Sequence, residues 1–260
     1  MQRVTKRNNI DAIGADSSAT LSEDYWLFYP FRVFPFLNGV LLPKIAADME
    51  FFLNRKITKT YSRGVNFLFQ YKRPELLTEI NSNEWVHWEQ PYFRYHIYER
   101  QQNLLDHLSN NSRGQVHVLY ASPAFVTMLD LETAYDSRTV IEKTNFCEAS
   151  RLTHHHVNTY IANGTHSIAC SEPEQIEHMS LSTRLENSEY SPLTTESYIS
   201  LANTIQQTIV EDPIYGSYYQ RLLSRYESLR EYPLYFSLLK IRLFTQVTGV
   251  QWLQALKVTE

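Results

Sequence analysis

Two polar residues near the end of an otherwise apolar run carry the clearest chemical signal in this chain. In Val65-Asn66-Phe67-Leu68-Phe69-Gln70-Tyr71-Lys72-Arg73, an amide and an amine stand two positions apart. On a β-strand, residues two apart point to the same face. An oxygen ligand at the first position can hold a hard cation. A Lys at the second can orient a water or steady the charge on a pentavalent phosphorus. Such chemistry also needs a carboxylate, and Asp48 in Ala46-Ala47-Asp48-Met49-Glu50-Phe51-Phe52 offers one.

The elements that must position these groups follow from pattern. Asp48 to Asn54 reads as a short strand, and Val65 to Lys72 as a second, stopped by Pro74. An antiparallel pairing of the two, with a bend, brings Asp48 toward Gln70 and Lys72. Residues 90–109 show helical spacing at Phe93, Ile97, Leu104, Leu105 and Leu108. A third strand runs from Gln115 to Ala121 and closes at Ser122-Pro123. A helix between two strands allows a parallel crossover. A helix is expected over Ala124–Tyr135, and further strands at Thr139–Lys143 and His166–Cys170. After Ser191-Pro192 the pattern turns helical. Thr194 or Thr195 caps a helix to about Val210, ended by Asp212-Pro213, and residues 217–231 and 234–247 follow as helices. The expected organisation is a polar segment at 1–24, an α/β core at 25–190 and a helical subdomain at 191–260.

The Gln-x-Lys strand with an upstream Asp and a following helix and strand resembles the PD-(D/E)xK nuclease superfamily, in the variant found in Mrr-type restriction enzymes and related defence nucleases. The resemblance covers about residues 40–125. It implies an α/β restriction-endonuclease-like mixed sheet flanked by helices, with an α-helical C-terminal region. It also implies hydrolysis of phosphodiester bonds, DNA foremost, dependent on Mg²⁺ or Mn²⁺. Asp48, Gln70 and Lys72 would be catalytic. Asp48, Gln70 and the main-chain carbonyl of Tyr71 would hold the metal. The family's setting implies bacterial anti-phage defence, with a partner protein or a homo-oligomer. Many members carry a Glu on the preceding helix, yet residues 30–47 contain no acid, and Glu23 is the nearest upstream Glu. Asp16 lacks a following apolar strand, so Asp48 is preferred.

Charge placement agrees with a phosphate-bearing substrate. Between Phe51 and Pro74 stand six cations, Arg55, Lys56, Lys59, Arg63, Lys72 and Arg73, and no acid. A cluster of this kind attracts a phosphate backbone in a salt-dependent way, with Arg55, Lys56, Lys59, Arg63 and Arg73 as the nucleic-acid contacts. The whole chain carries a formal charge of −4, which argues against a passive nucleic-acid coat. A member of the fold that binds nucleic acid or protein without cutting is the rival reading, and a structural part of a larger assembly is a third.

Other chemistry is poorly supported. GxxxxGK[ST] and GxGxxG are absent. Cys147 and Cys170 form no CxxC and suggest a reducing, cytoplasmic setting. No signal peptide or membrane span is read, so no membrane partner is expected. Consecutive His154, His155 and His156 cannot all face one ion on a regular element. Ser122 lacks a nucleophile elbow. Tyr95 or Gln101 could touch substrate beside the Lys72 strand. The aromatic stretch Tyr25–Phe36 could stack bases, though such density more often marks core or interface.

Overall fold

The computed structural model describes residues 42–59, 61–161 and 164–258. The first described element is helix α1 (Leu42–Lys59), followed by strands β1 (Tyr61–Tyr71) and β2 (Glu75–Leu77). A one-turn helix α2 (Trp85–Trp88), strand β3 (Tyr92–His96), helix α3 (Glu99–Ser112) and strand β4 (Val116–Pro123) come next. Then follow α4 (Met128–Asp136), β5 (Thr144–Glu148), β6 (Val157–Tyr160), β7 (His166–Cys170), β8 (Glu174–Glu177), α5 (Leu181–Asn187) and β9 (Ser191–Pro192). The C-terminal part holds α6 (Thr195–Glu211), α7 (Gly216–Leu223), α8 (Pro233–Thr248) and a last strand, β10 (Gln251–Val258).

The fold is α/β, as the sequence predicts, with a mixed sheet, flanking helices and a helical C-terminal region. The first sheet runs β10-β1-β4-β5, with β9 added beside the start of β1. β1 pairs parallel with β4, from Asn66↔Val116 to Tyr71↔Ala121, and antiparallel with β10. It is therefore interior, and its near-continuous apolar run follows from burial on both faces. Val65, Phe67 and Phe69 pack with Leu119, Ala121 and Phe146 on one side. Leu68 faces the main core with Val118, Tyr120, Leu105 and Ile205 on the other. A second, wholly antiparallel sheet runs β2-β3-β6-β7-β8. Buried Tyr95, Tyr120 and Tyr160 link the sheets, with ring centroids 5.8 and 6.2 Å from Tyr95 to the other two.

The segment around Asp48 departs from expectation. Residues 48–54 lie inside α1, so no hairpin joins them to β1, and the antiparallel neighbour of β1 is β10. The physical reason is the longer period. Ala46, Leu53 and Ile57 recur along one helical face and pack inward. The same helix secures its neighbours. Glu50 accepts from the main-chain N–H groups of Leu234 and Tyr235 at 3.1 and 2.7 Å, a carboxylate at the N-terminus of α8. Thr195 at the start of α6 donates to Asn54 Oδ1 at 2.7 Å.

Residues 90–109 also divide, into β3 and α3. Phe93, Tyr95 and Ile97 are buried at period two before the helical spacing begins. Residues 139–143 form turns, and the strand starts at Thr144. The C-terminal helices stand close to expectation. Thr194 caps α6 through a reciprocal pair with Ser197, and Asp212 follows its last turn.

Candidate functional site

The C-terminal end of β1 is fixed before any ligand is considered. Lys72 N–H donates to Ala121 O at 2.9 Å, extending the β1–β4 ladder past Tyr71. Lys72 O accepts from Ser122 Oγ at 3.3 Å, and Ser122 Oγ accepts in turn from Tyr160 OH at 2.9 Å. A main-chain position held this way offers a preorganised side chain.

From this anchor the Lys72 side chain runs under the start of α3. Its Nζ donates to Gln101 Oε1 at 2.7 Å. It also lies 4.9 Å from the Tyr98 ring centroid and 5.2 Å from that of Tyr120, inside cation–π range. Burial pulls the amine from its ordinary 10.5 down to about 8. The group is thus largely protonated at neutral pH yet able to release a proton slightly above it. On the same face, Gln70 Nε2 donates to Tyr71 O at 3.2 Å. Its Oε1 is buried without a hydrogen-bond partner. An orphaned acceptor costs stability and invites a ligand or water.

These groups line a cleft of about 340 Å³ with Arg73, Arg94, His96 and Glu75. Arg94 is committed to Glu75 at 3.0 Å and to Glu84 at 3.5 Å. Arg73 is exposed at the rim.

The structure joins some of the sequence-derived residues and parts others. Gln70, Tyr71, Lys72 and Arg73 share the cleft, and Gln101 joins them. Asp48 does not; it is exposed on α1 and absent from the cleft lining. The cations also divide. Arg55 and Lys56 are exposed on α1, which ends at Lys59, and Arg63 is exposed at the β9 end of β1. Arg63 and Lys72 stand nine positions apart in extended chain, about 30 Å. The compact basic cluster of the sequence is therefore two groups at opposite ends of one strand. Asp16, Glu23 and Tyr25–Phe36 lie outside the described residues.

The oxygens that the resemblance assigns to a metal are only partly assembled. Tyr71 O accepts from Gln70 Nε2, so the oxygen of that side chain that suits a cation is the orphaned Oε1. Among the described residues, however, no group of three or more His, Cys, Asp or Glu side chains converges anywhere. Mg²⁺ is normally held through one or two carboxylates. The cleft lining holds one carboxylate, Glu75, and Arg94 pairs with it at 3.0 Å.

Sequence reasoning missed Tyr98 and Tyr120. The available signals were the place of Tyr98 at the cap of α3 and the parallel register that sets Tyr120 opposite Gln70. No protein-family model, curated protein or solved structure matches the chain.

Proposed function

We propose that the Gln70–Lys72 cleft receives a backbone phosphate of nucleic acid, DNA foremost, and that the chain is a nuclease of the PD-(D/E)xK type. The observation that carries this reading is the Lys72 amine. It is half-buried, held by Gln101, lowered to about 8, and it lines the same cleft as Gln70, whose side-chain oxygen has no partner. A desolvated ammonium stabilises charge that develops on a phosphoryl oxygen far better than a hydrated one. Near its titration point the amine can also take a proton from an attacking water. Gln101 keeps Nζ from swinging away, and the Ser122–Tyr160 clamp fixes the strand beneath it.

Hydrolysis further requires a divalent cation, Mg²⁺ or Mn²⁺, which supplies charge neutralisation at the phosphate. Its carboxylate has to come from an acid other than Asp48. The family's setting extends the proposal to a cytoplasmic defence enzyme working with a partner or a second copy. No helix among the described residues is long and apolar enough to cross a membrane.

A second reading has an observation of its own. The placement of Asp48 on α1 favours a fold member that binds nucleic acid without cutting it. Plasmid DNA and RNA incubated with the protein and Mg²⁺, Mn²⁺ or EDTA, beside Lys72→Ala, separate the two. Metal-dependent cleavage lost in the variant establishes the nuclease. Binding that weakens in the variant, with no cleavage by either protein, selects the second reading. Neither binding nor cleavage removes both.

A further inference from the structure

The Lys72 cleft does not end at Arg73. A second groove, of about 480 Å³, continues from it and shares Arg73 and Glu75 in its walls. Its lining sets the apolar side chains of Pro74, Leu76, Phe93, Phe125 and Val126 beside the charged Arg73 and Glu75. Val126 is 61 % exposed and Tyr98, over the Lys72 end, 67 % exposed. Exposed Val126, Leu76 and Tyr98 beside cations suit a ligand that carries both apolar faces and negative charge.

We infer that the joined grooves take an unpaired nucleotide strand, with a backbone phosphate at Lys72 and Arg73 and nucleobases against Tyr98 and the Phe125–Val126 wall. The inference rests on the phosphate-handling reading of Lys72 and names its substrate class. A duplex offers phosphates and groove edges but hides the faces of its bases in the stack. An apolar wall beside the cations gains nothing from it. An unpaired strand exposes those faces, and aromatic and apolar surfaces next to a positive groove are how single strands are held without sequence preference. Glu75 does not repel the strand as a bare charge, because Arg94 pairs with it at 3.0 Å.

The test is fluorescence anisotropy in EDTA with a labelled DNA oligonucleotide, single-stranded or annealed to its complement. The intact protein is compared with Val126→Ser and Leu76→Ser, two exposed positions in the second groove whose folding is checked by circular dichroism. The single strand should bind at least about tenfold tighter than the duplex, and each substitution should weaken it by about tenfold. Duplex binding should not move. Duplex affinity equal to or above that for the single strand overturns the inference while leaving nucleic-acid binding intact. So does single-strand affinity unmoved by both substitutions. No binding of either form overturns the underlying reading as well.

Discussion

The two ends of β1 carry the same kind of residue in different states. At the start, Arg63 is exposed beside β9, near the end of α1 with its exposed Arg55 and Lys56. At the finish, Lys72 is drawn beneath α3, bonded to Gln101 and lowered to about 8. The first group stands at the surface, where the field of a charge is screened over about 8–10 Å at physiological salt. The second has lost part of its water, and its field reaches further. Cations adjacent in sequence are thus not equivalent. Burial, rather than count, decides which end can act on a bound phosphate.

The largest test of this contrast is functional. Lys72→Ala should lower cleavage at least about a hundredfold. Arg55→Ala, Lys56→Ala and Arg63→Ala combined should weaken binding less than about threefold at 0.15 M salt. Measurement of both variants on the same substrate checks the pair, and a larger loss in the triple variant reverses the comparison. A smaller effect concerns the scaffold. Tyr160→Phe removes the bonds to Ser122 Oγ and to Pro123 O at the Lys72 end and should cost about 1–2 kcal/mol in urea unfolding. Tyr198→Phe, which loses one bond to Gln254 toward the other end, should cost about 0.5–1.5 kcal/mol. Only the first should disturb the titration of Lys72.

The smallest effect is pH-dependent. Lys72 has a folded pKa of about 8 against 10.5 when solvated. Within that window the unfolded chain holds a proton that the folded chain has released, so this residue's contribution to stability rises with pH. Urea unfolding of wild type and Lys72→Met should show wild type gaining about 1 kcal/mol on the variant between pH 7 and 10, allowing for the amine's exposed side. A flat difference for Lys72→Met would mean that the amine is hydrated.

How much of this could be read beforehand depended on the range over which each pattern acts. The β1 run was legible because Val65, Phe67, Leu68 and Phe69 face core on both sides. The caps of α6 were legible because Thr194 and Asp212 act on their immediate neighbours. Asp48 was misplaced because Met49 to Leu53 fits a strand in a short window, and only the spacing of Ala46, Leu53 and Ile57 shows the helix. Gln101 was visible as a polar residue near the expected site. Its bond to Lys72 was not, since it depends on how α3 returns over the sheet. The pairing of β1 with β10 was invisible for the same reason: no local pattern in Gln251–Val258 names its neighbour.

That pairing has a consequence for biosynthesis. Trp252 Nε1 donates to Asn66 Oδ1 across 186 positions of sequence, and Leu253 sits opposite Phe67. At about 5–20 residues per second, a ribosome that has made β1 needs roughly 10–40 s more to deliver its antiparallel partner. Throughout that interval one edge of the central strand is without β10, an open template for other nascent chains. Prematurely terminated products keep that exposure permanently, so chaperone capture and proteolysis should fall on them in preference to the finished protein.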